Sequence, residues 1–277
     1  MQLEIVCCSD KGLVRDHNED SLANDERLGI VVLADGMGGC QAGEVASAMA
    51  VKTIMEELRA PFKKMLFNKF ESLHQSHRIT GLLERAIIEA NKSIYEVAEQ
   101  QTRYHGMGTT VVAAVFHTNR VSVAHVGDSR LYRLRGDEFK QITIDHSVLQ
   151  ELIDCGFYTR EQARHSPNKN LVTRALGVSD KVNVDVQEQD VQLGDTYLLC
   201  SDGLNDMLDD NDIHTILEDN YYSLEQTAQQ LVKAANEKGG EDNISVILVR
   251  PLSFTTTKSL ENWWKSLTDF FLFPRKN

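Results

Sequence analysis

Short runs of apolar and β-branched residues recur along the chain and predict buried β-strands. The predicted strands are Leu28–Ala34, Thr109–Phe116, Arg120–Val126, Leu131–Leu134, Glu138–Ile144, Thr196–Cys200 and Ile244–Val249. Two connections, His117 to Asn119 and Gly136-Asp137, contain turn residues and predict hairpins. Consecutive hairpins indicate antiparallel sheet.

Helical spacing of apolar residues is confined to separate blocks. It predicts helices over Gln41–Leu58 and Leu82–Ala98. Ser223, followed three residues later by Gln226, is typical of a helix N-cap, and that helix should run towards Gly239. Helices and strands that occur in blocks, without regular alternation, favour an α+β fold.

Composition narrows the class of protein. The 277 residues suit one large domain or two small ones. The formal net charge of −12 argues against a nucleic-acid partner, because phosphate backbones repel an acidic surface. The five cysteines include no C-x-x-C pair, and the chain opens without a signal peptide or a membrane-length apolar run. We therefore expect a cytoplasmic protein.

Acidic residues recur where predicted strands end. Asp35, Asp128 and Asp202 follow strands, and Asp242 precedes one. A single Asp-Gly beside a strand is usually only a turn. Four such sites, together with Asn18-Glu19-Asp20, form an all-oxygen set that suits hard cations such as magnesium and manganese.

Eight motifs in order resemble those of the metal-dependent protein phosphatases of type 2C, in their bacterial form. They are Arg15–Asp20 (RDHNED), Asp35–Gly39 (DGMGG), Gly106–Thr110 (GMGTT), Gly127–Arg130 (GDSR), Asp145–Ser147 (DHS), Leu171–Gly177 (LVTRALG), Cys200–Leu204 (CSDGL) and Gly240–Asn243 (GEDN). The resemblance implies a four-layer α-β-β-α sandwich of two antiparallel sheets flanked by helices. It also implies a catalytic domain over residues 1–251, with a flap-like segment at about 145–178.

The resemblance further implies a role for each site residue. The expected metal ligands are Glu19, Asp35, Gly36 (through its carbonyl), Asp128, Asp202 and Asp242, holding two or three Mn²⁺ or Mg²⁺ ions. Arg15 and Asp20 are the expected catalytic residues, and Arg15 and Asn243 are expected to bind substrate. Cations held in this way activate a water for attack on phosphorus, and Arg15 suits a phosphate because its fork binds two oxygens at once. Met37 stands where some members carry a histidine acid, so a different group must protonate the leaving oxygen.

The implied function is hydrolysis of phosphoserine and phosphothreonine in proteins, opposing a serine/threonine kinase. Two alternatives stay open. One is a weak or inactive module that binds phosphoproteins, and the other is a metal-dependent phosphohydrolase that acts on a small molecule. Phosphoproteins, including a kinase or its targets, are the expected partners.

Two segments have no counterpart in these motifs. Residues 61–78 are either a helix packed on the domain or a docking element. Residues 252–277 form an amphipathic aromatic tail that contains both tryptophans. The tail either packs back onto the domain or docks to a partner or a membrane surface.

Overall fold

A computed structural model describes residues 1–38, 42–67, 75–159, 161–162, 166, 171–221 and 223–254. The first sheet contains, in spatial order, β1 (Gln2–Asp10), β11 (Ile244–Ser253), β10 (Thr196–Cys200), β7 (Arg130–Arg135) and β8 (Glu138–Gln141). The second contains β2 (Asp20–Asp25), β3 (Ile30–Met37), β5 (Val111–His117), β6 (Arg120–Val126) and β9 (Asp185–Asp190), with β4 (Gly108–Thr109) paired to β3. Every pairing is antiparallel.

The helices lie outside the sheets. They are α1 (Ala42–Phe67), α2 (Gln75–Gln100), α3 (Val148–Asp154), α4 (Asp202–Asn205), α5 (Asp210–Asp219) and α6 (Leu224–Glu237), with a 3₁₀ turn at Thr102–Tyr104. Helices α1 and α2 cover the second sheet, whereas α5 and α6 cover the first. The predicted α-β-β-α sandwich is confirmed.

The middle of each sheet is buried on both faces, which explains why strands such as β3, β5 and β10 have long apolar runs. In β3, Val31 and Leu33 face the opposite sheet, while Ile30 and Val32 face the helices. The ring of Phe116 on one sheet meets the ring of Tyr197 on the other edge-to-face, with centroids 5.1 Å apart. Alternate residues of one strand therefore belong to different apolar layers.

Three strands escaped the sequence analysis. In β1 and β2 apolar and polar residues are mixed, and β9 (DVQEQD) is almost wholly polar because it lies at a sheet edge. Asp35, predicted to follow its strand, lies inside β3 because pairing with β4 extends that strand to Met37.

The first predicted helix is longer than expected, because α1 continues through Pro61 to Phe67. Phe62 is buried in the layer beneath α1 and α2, so the start of the 61–78 segment is packed helix. Residues 68–74 of that segment, and residues 255–277 of the aromatic tail, lie outside the described residues. Within the described part of the chain, none of the helices has the length and apolar character needed to cross a bilayer.

Replacing Leu33 with Ala should lower the free energy of unfolding by about 2–5 kcal/mol, because the side chain is fully buried between the sheets and its loss leaves a cavity. Urea denaturation measures the change. Leu193→Ala is the matched control, since Leu193 is 55% exposed and should cost little. Equal effects of the two substitutions would contradict this placement of the core.

Candidate metal centre

Strand pairing places the first acidic segment against the second. Asp20 on β2 lies directly opposite Asp35 on β3. The N–H of Gly36 donates to the carbonyl of Glu19 over 3.1 Å. Gly36 cannot be replaced without strain, because a Cβ there would lie 2.1 Å from the carbonyl oxygen of Gly43. The backbone thus sets Glu19, Asp20 and Asp35 together at one end of the second sheet.

The first sheet brings its acidic residues to the same end. Asp202 opens the short helix α4 just after β10, and Asp242 stands just before β11. The hydroxyl of Ser201 donates to Oδ2 of Asp20 over 2.9 Å and accepts from the N–H of Ser245 over 3.0 Å. This hydrogen-bonded chain joins the two sheets at the centre of the acidic cluster.

Asp128 follows β6 on a closely held loop. The hydroxyls of Thr110 and Ser129 lie 2.7 Å apart. Arg130 makes a bidentate ion pair with Asp145, with contacts of 2.6 to 3.0 Å. The loop is therefore fixed directly after Asp128, which is itself only 7% exposed.

These residues line one open cavity of about 760 Å³. The predicted site residues along its wall are Arg15, Glu19, Asp35, Gly36, Asp128, Asp202, Asp242 and Asn243. Every predicted site residue except Asp20 reaches this wall, and Asp20 lies behind it through its contact with Ser201. Met37 also lines the cavity. It stands where some members of the phosphatase family that this sequence resembles carry a histidine.

Burial is the largest cause of the raised pKa values in the cluster, and repulsion between carboxylates adds to it. Loss of water and the neighbouring carboxylates raise the pKa of Asp35 and of Asp202 well above the ordinary range. The same causes raise the pKa of Asp128 to about 7, and burial raises that of Asp20 to about 6. Among the described residues, Oδ1 of Asp20 is buried without a hydrogen-bond partner. These buried carboxylates receive too few hydrogen bonds to compensate their charge. Carboxylate oxygens are the ligands that hard divalent cations prefer, so the residues fit magnesium or manganese.

Arg15 places a positive charge against the cluster. Its guanidinium donates to Oδ2 of Asp242 over 2.6 Å, and its side chain is 54% exposed. That bond raises the pKa of Arg15 above its usual value. The predicted contact of Arg15 with phosphate stays a prediction, and the structure shows that the side chain reaches the cluster.

Asn243 has a role that the sequence did not indicate. Its amide donates to the carbonyls of Lys11 and His17, each over 2.9 Å, and accepts from the N–H of Glu19 over 2.8 Å. Both amide hydrogens are used in these bonds, and the predicted contact of Asn243 with substrate stays a prediction. The bonds position the loop that carries Glu19.

Asp206 is a further acidic residue near the site, and the sequence patterns did not predict it. This carboxylate raises the pKa of both Asp128 and Asp202. Its spacing from Asp202, four residues along a helical turn, placed both side chains on one side of α4 and was the signal available.

Comparison with known proteins agrees with this geometry. A family model described as protein phosphatase 2C matches residues 10–248. The serine/threonine phosphatase stp of Listeria innocua is 41% identical over 244 residues, covering 87% of this chain and 93% of the relative.

Two solved structures are similar throughout the described fold. The Mycobacterium tuberculosis serine/threonine phosphatase PstP/Ppp matches with a TM-score of 0.80 at 35% identity, covering 90% of this chain and 98% of its own. The catalytic domain of PstP in complex with two manganese ions matches with a TM-score of 0.77 at 35% identity, covering 90% and 97%. The chain belongs to the protein phosphatase 2C family, whose members are metal-dependent hydrolases.

In metal-free protein, Asp128→Asn should raise the free energy of unfolding at pH 8 by on the order of 2–4 kcal/mol. The folded pKa of Asp128, about 7, exceeds the unfolded value, so its contribution to stability is fully present below about pH 4 and is lost as pH rises through 7. The gain from the substitution should therefore shrink towards pH 5. Urea denaturation in a chelator at both pH values measures it.

Asp137→Asn, in an exposed hairpin turn, is the matched control and should change stability little at either pH. A gain at Asp128 that does not depend on pH would show that ionisation of this buried carboxylate is not its cause.

Proposed function

We propose that the protein hydrolyses phosphoserine and phosphothreonine in proteins. The observation that carries this proposal is the convergence of carboxylates from both sheets in one cavity with an exposed arginine at its rim. Family membership and relatives named as serine/threonine phosphatases support it.

The carboxylates provide the metal sites. Asp35 would bridge two cations, with Glu19 and the carbonyl of Gly36 on one side and Asp202 and Asp242 on the other. Asp128 would share a third cation with Asp202, consistent with the electrostatic coupling of these two carboxylates. When bound, such ions make a water nucleophilic near neutral pH and neutralise charge on the phosphoryl oxygens.

Arg15 is placed to bind the phosphate. Its guanidinium is half-exposed, and its partner Asp242 is a carboxylate that a cation would also bind. An arginine on a long, exposed stem can turn from Asp242 to a phosphate and bind two of its oxygens. Arg15 would then hold the phosphate against the metal ligands.

Asp20 orders the site from behind. One of its oxygens accepts from Ser201, and the other has no partner among the described residues. That second oxygen can accept a hydrogen bond from a water in the site, and it orients that water. Methionine at position 37 cannot donate a proton, so the proton for the leaving oxygen comes from solvent within the cavity.

The proposal also covers the substrates, the cellular location and the domain boundary. The substrates are phosphoproteins, including a serine/threonine kinase or its targets, and the location is the cytoplasm, where the four described cysteines stay free thiols. The catalytic domain spans residues 1–251 and the tail follows as a separate element. The family match, which ends at residue 248, supports this boundary.

Asp202→Asn should lower kcat/KM on a phosphothreonine peptide by at least about a hundredfold, because it removes a carboxylate shared by the cation sites. Chelation should abolish activity in the parent protein, and Mn²⁺ or Mg²⁺ should restore it. Asp219→Asn, an exposed change on α5, is the matched control. Phosphopeptide binding without turnover would indicate a binding module, and a higher kcat/KM on small phosphate esters than on peptides would indicate a small-molecule enzyme.

Arg15→Ala should lower kcat/KM by about 10- to 100-fold, because a charge-assisted bond to phosphate is lost. The kcat/KM of Arg15→Lys should lie between those of the parent and of Arg15→Ala, since lysine keeps the positive charge but cannot bind two phosphate oxygens at once. Steady-state kinetics on the same peptide measures the effect, with Arg85→Ala, an exposed change on α2, as control. Parent kinetics in Arg15→Ala would reject the assignment.

Deleting residues 255–277 should leave metal-dependent turnover of p-nitrophenyl phosphate and the thermal midpoint unchanged. The reason is that the fold closes with β11, which ends at Ser253. Activity assays and calorimetry test this directly. Loss of folding on deletion would instead mean that the tail packs onto the domain.

A further inference from the structure

His146 lies at the start of the flap-like segment, residues 145–178 of the catalytic domain. Its N–H donates to the carbonyl of Gly127 over 2.9 Å, and its carbonyl accepts from the N–H of Thr173 over 2.8 Å. The first bond reaches the loop that carries Asp128, and the second reaches the returning end of the flap. The backbone of this one residue therefore touches both segments.

The imidazole of His146 holds Gly127 a second time. Its Nδ1 accepts from the N–H of Gly127 over 3.1 Å. Because a backbone N–H can only donate, Nδ1 carries the lone pair and the ring proton sits on Nε2. Nε2 lies 3.3 Å from Oδ2 of Asp185, whose other oxygen accepts from Arg174 over 2.8 Å. Burial, His125 and Arg174 lower the pKa of His146, which agrees with a neutral ring.

The group around His146 has the spacing of a metal site but not its chemistry. His125, His146 and Asp185 each place a potential ligand atom within 4.8 Å of the others. The Nε2 atom of His146, however, bears a proton and has no lone pair to offer. The guanidinium of Arg174 lies 3.1 Å from that nitrogen, but both groups are donors, so they do not hydrogen-bond to each other and each donates instead to Asp185. The group is thus a hydrogen-bonded support.

His146 contacts the Asp128 loop through Gly127. Its φ of +105° lies in the region that favours glycine, and a Cβ would stand 2.5 Å from Cβ of Thr110. Both its N–H and its carbonyl are bound by His146. Because the peptide planes on either side of Gly127 set the direction of the next residue, they set where the carboxylate of Asp128 points.

We propose that His146 is a positioning residue for Asp128 and that it ties the shape of the Asp128 loop to the flap. The proposal rests on the role given above to Asp128 as a cation ligand. Without an acceptor at Nδ1, the buried N–H of Gly127 has no partner, and the loop must rearrange to satisfy it. The carboxylate then leaves its place beside Asp202, and the cation site that they share weakens.

The test compares three substitutions by calorimetric titration with Mn²⁺. His146→Leu removes the acceptor, and His146→Gln moves it away from the Nδ1 position, so each should weaken the Asp128-dependent site by about 10- to 100-fold. His146→Asn places its Oδ1 close to where Nδ1 lies and should bind Mn²⁺ much as the parent does. Rescue by Asn would not be expected if His146 only filled space.

His117→Leu is the matched control. His117 lies at the turn of the β5–β6 hairpin, at the opposite end of β6 from Gly127, and its Nε2 lies 3.1 Å from the hydroxyl of Ser122. Its loss should leave Mn²⁺ binding unchanged. Parent-like Mn²⁺ binding in folded His146→Leu or His146→Gln would overturn the proposal, as would equal weakening in His146→Asn.

A double-substitution cycle separates the positioning role of His146 from the ligand role of Asp128 on which it rests. In an Asp128→Asn background, His146→Gln should cause no further loss of Mn²⁺ binding, because both act at one site. If Asp128→Asn itself leaves Mn²⁺ binding unchanged, the ligand role of Asp128 fails and this proposal fails with it. If Asp128→Asn weakens binding and His146→Gln does not, only the positioning role fails. Long-range ¹⁵N NMR of the parent should show a proton on Nε2, and a proton on Nδ1 would also overturn the proposal.

Discussion

The burial of carboxylates that repel one another is the constraint around which this molecule is built. Asp20, Asp35, Asp128 and Asp202 all have raised pKa values, and the same two causes recur: loss of water first, and the charge of neighbouring carboxylates second. A protein keeps such a cluster only when something of opposite charge compensates it. Arg15 pairs with Asp242 and its charge also stabilises ionised Glu19, but one cation cannot compensate the whole cluster, so the rest of the charge is left for divalent cations.

The fold holds these charges together by rigid pairing. The register of β2 against β3 fixes Asp20 opposite Asp35, and apolar layers on both faces of each sheet resist any slip of that register. Short loops then carry Asp128, Asp202 and Asp242 inwards from strand ends. A supporting set of neutral and paired groups, among them Ser201, holds the acids without cancelling them.

Much of this arrangement could be predicted from the sequence, for physical reasons that differ by element. Buried strands such as β5 and β10 can be predicted from their apolar runs, because both of their faces are buried. The edge strand β9 consists mostly of polar residues and lacks such a run. Asp35, Asp128, Asp202 and Asp242 were found because each adjoins the end of a predicted strand, whereas Glu19 and Asp20 were found through the acidic segment Asn18-Glu19-Asp20. The bonds of Asn243 and His146 could not be predicted, since they depend on loop shapes that no local pattern encodes.

The hydrogen-bonded chain through Ser201 has a consequence beyond catalysis. Because carboxylates of both sheets meet at one place, cations held there would act as a clasp between the halves of the sandwich. Ligands that bind only the folded state stabilise it in proportion to their free concentration. We expect that metal supply in the cell sets how long each copy of the enzyme survives proteolysis, as well as how fast it works, and pulse-chase turnover at graded manganese levels would measure this.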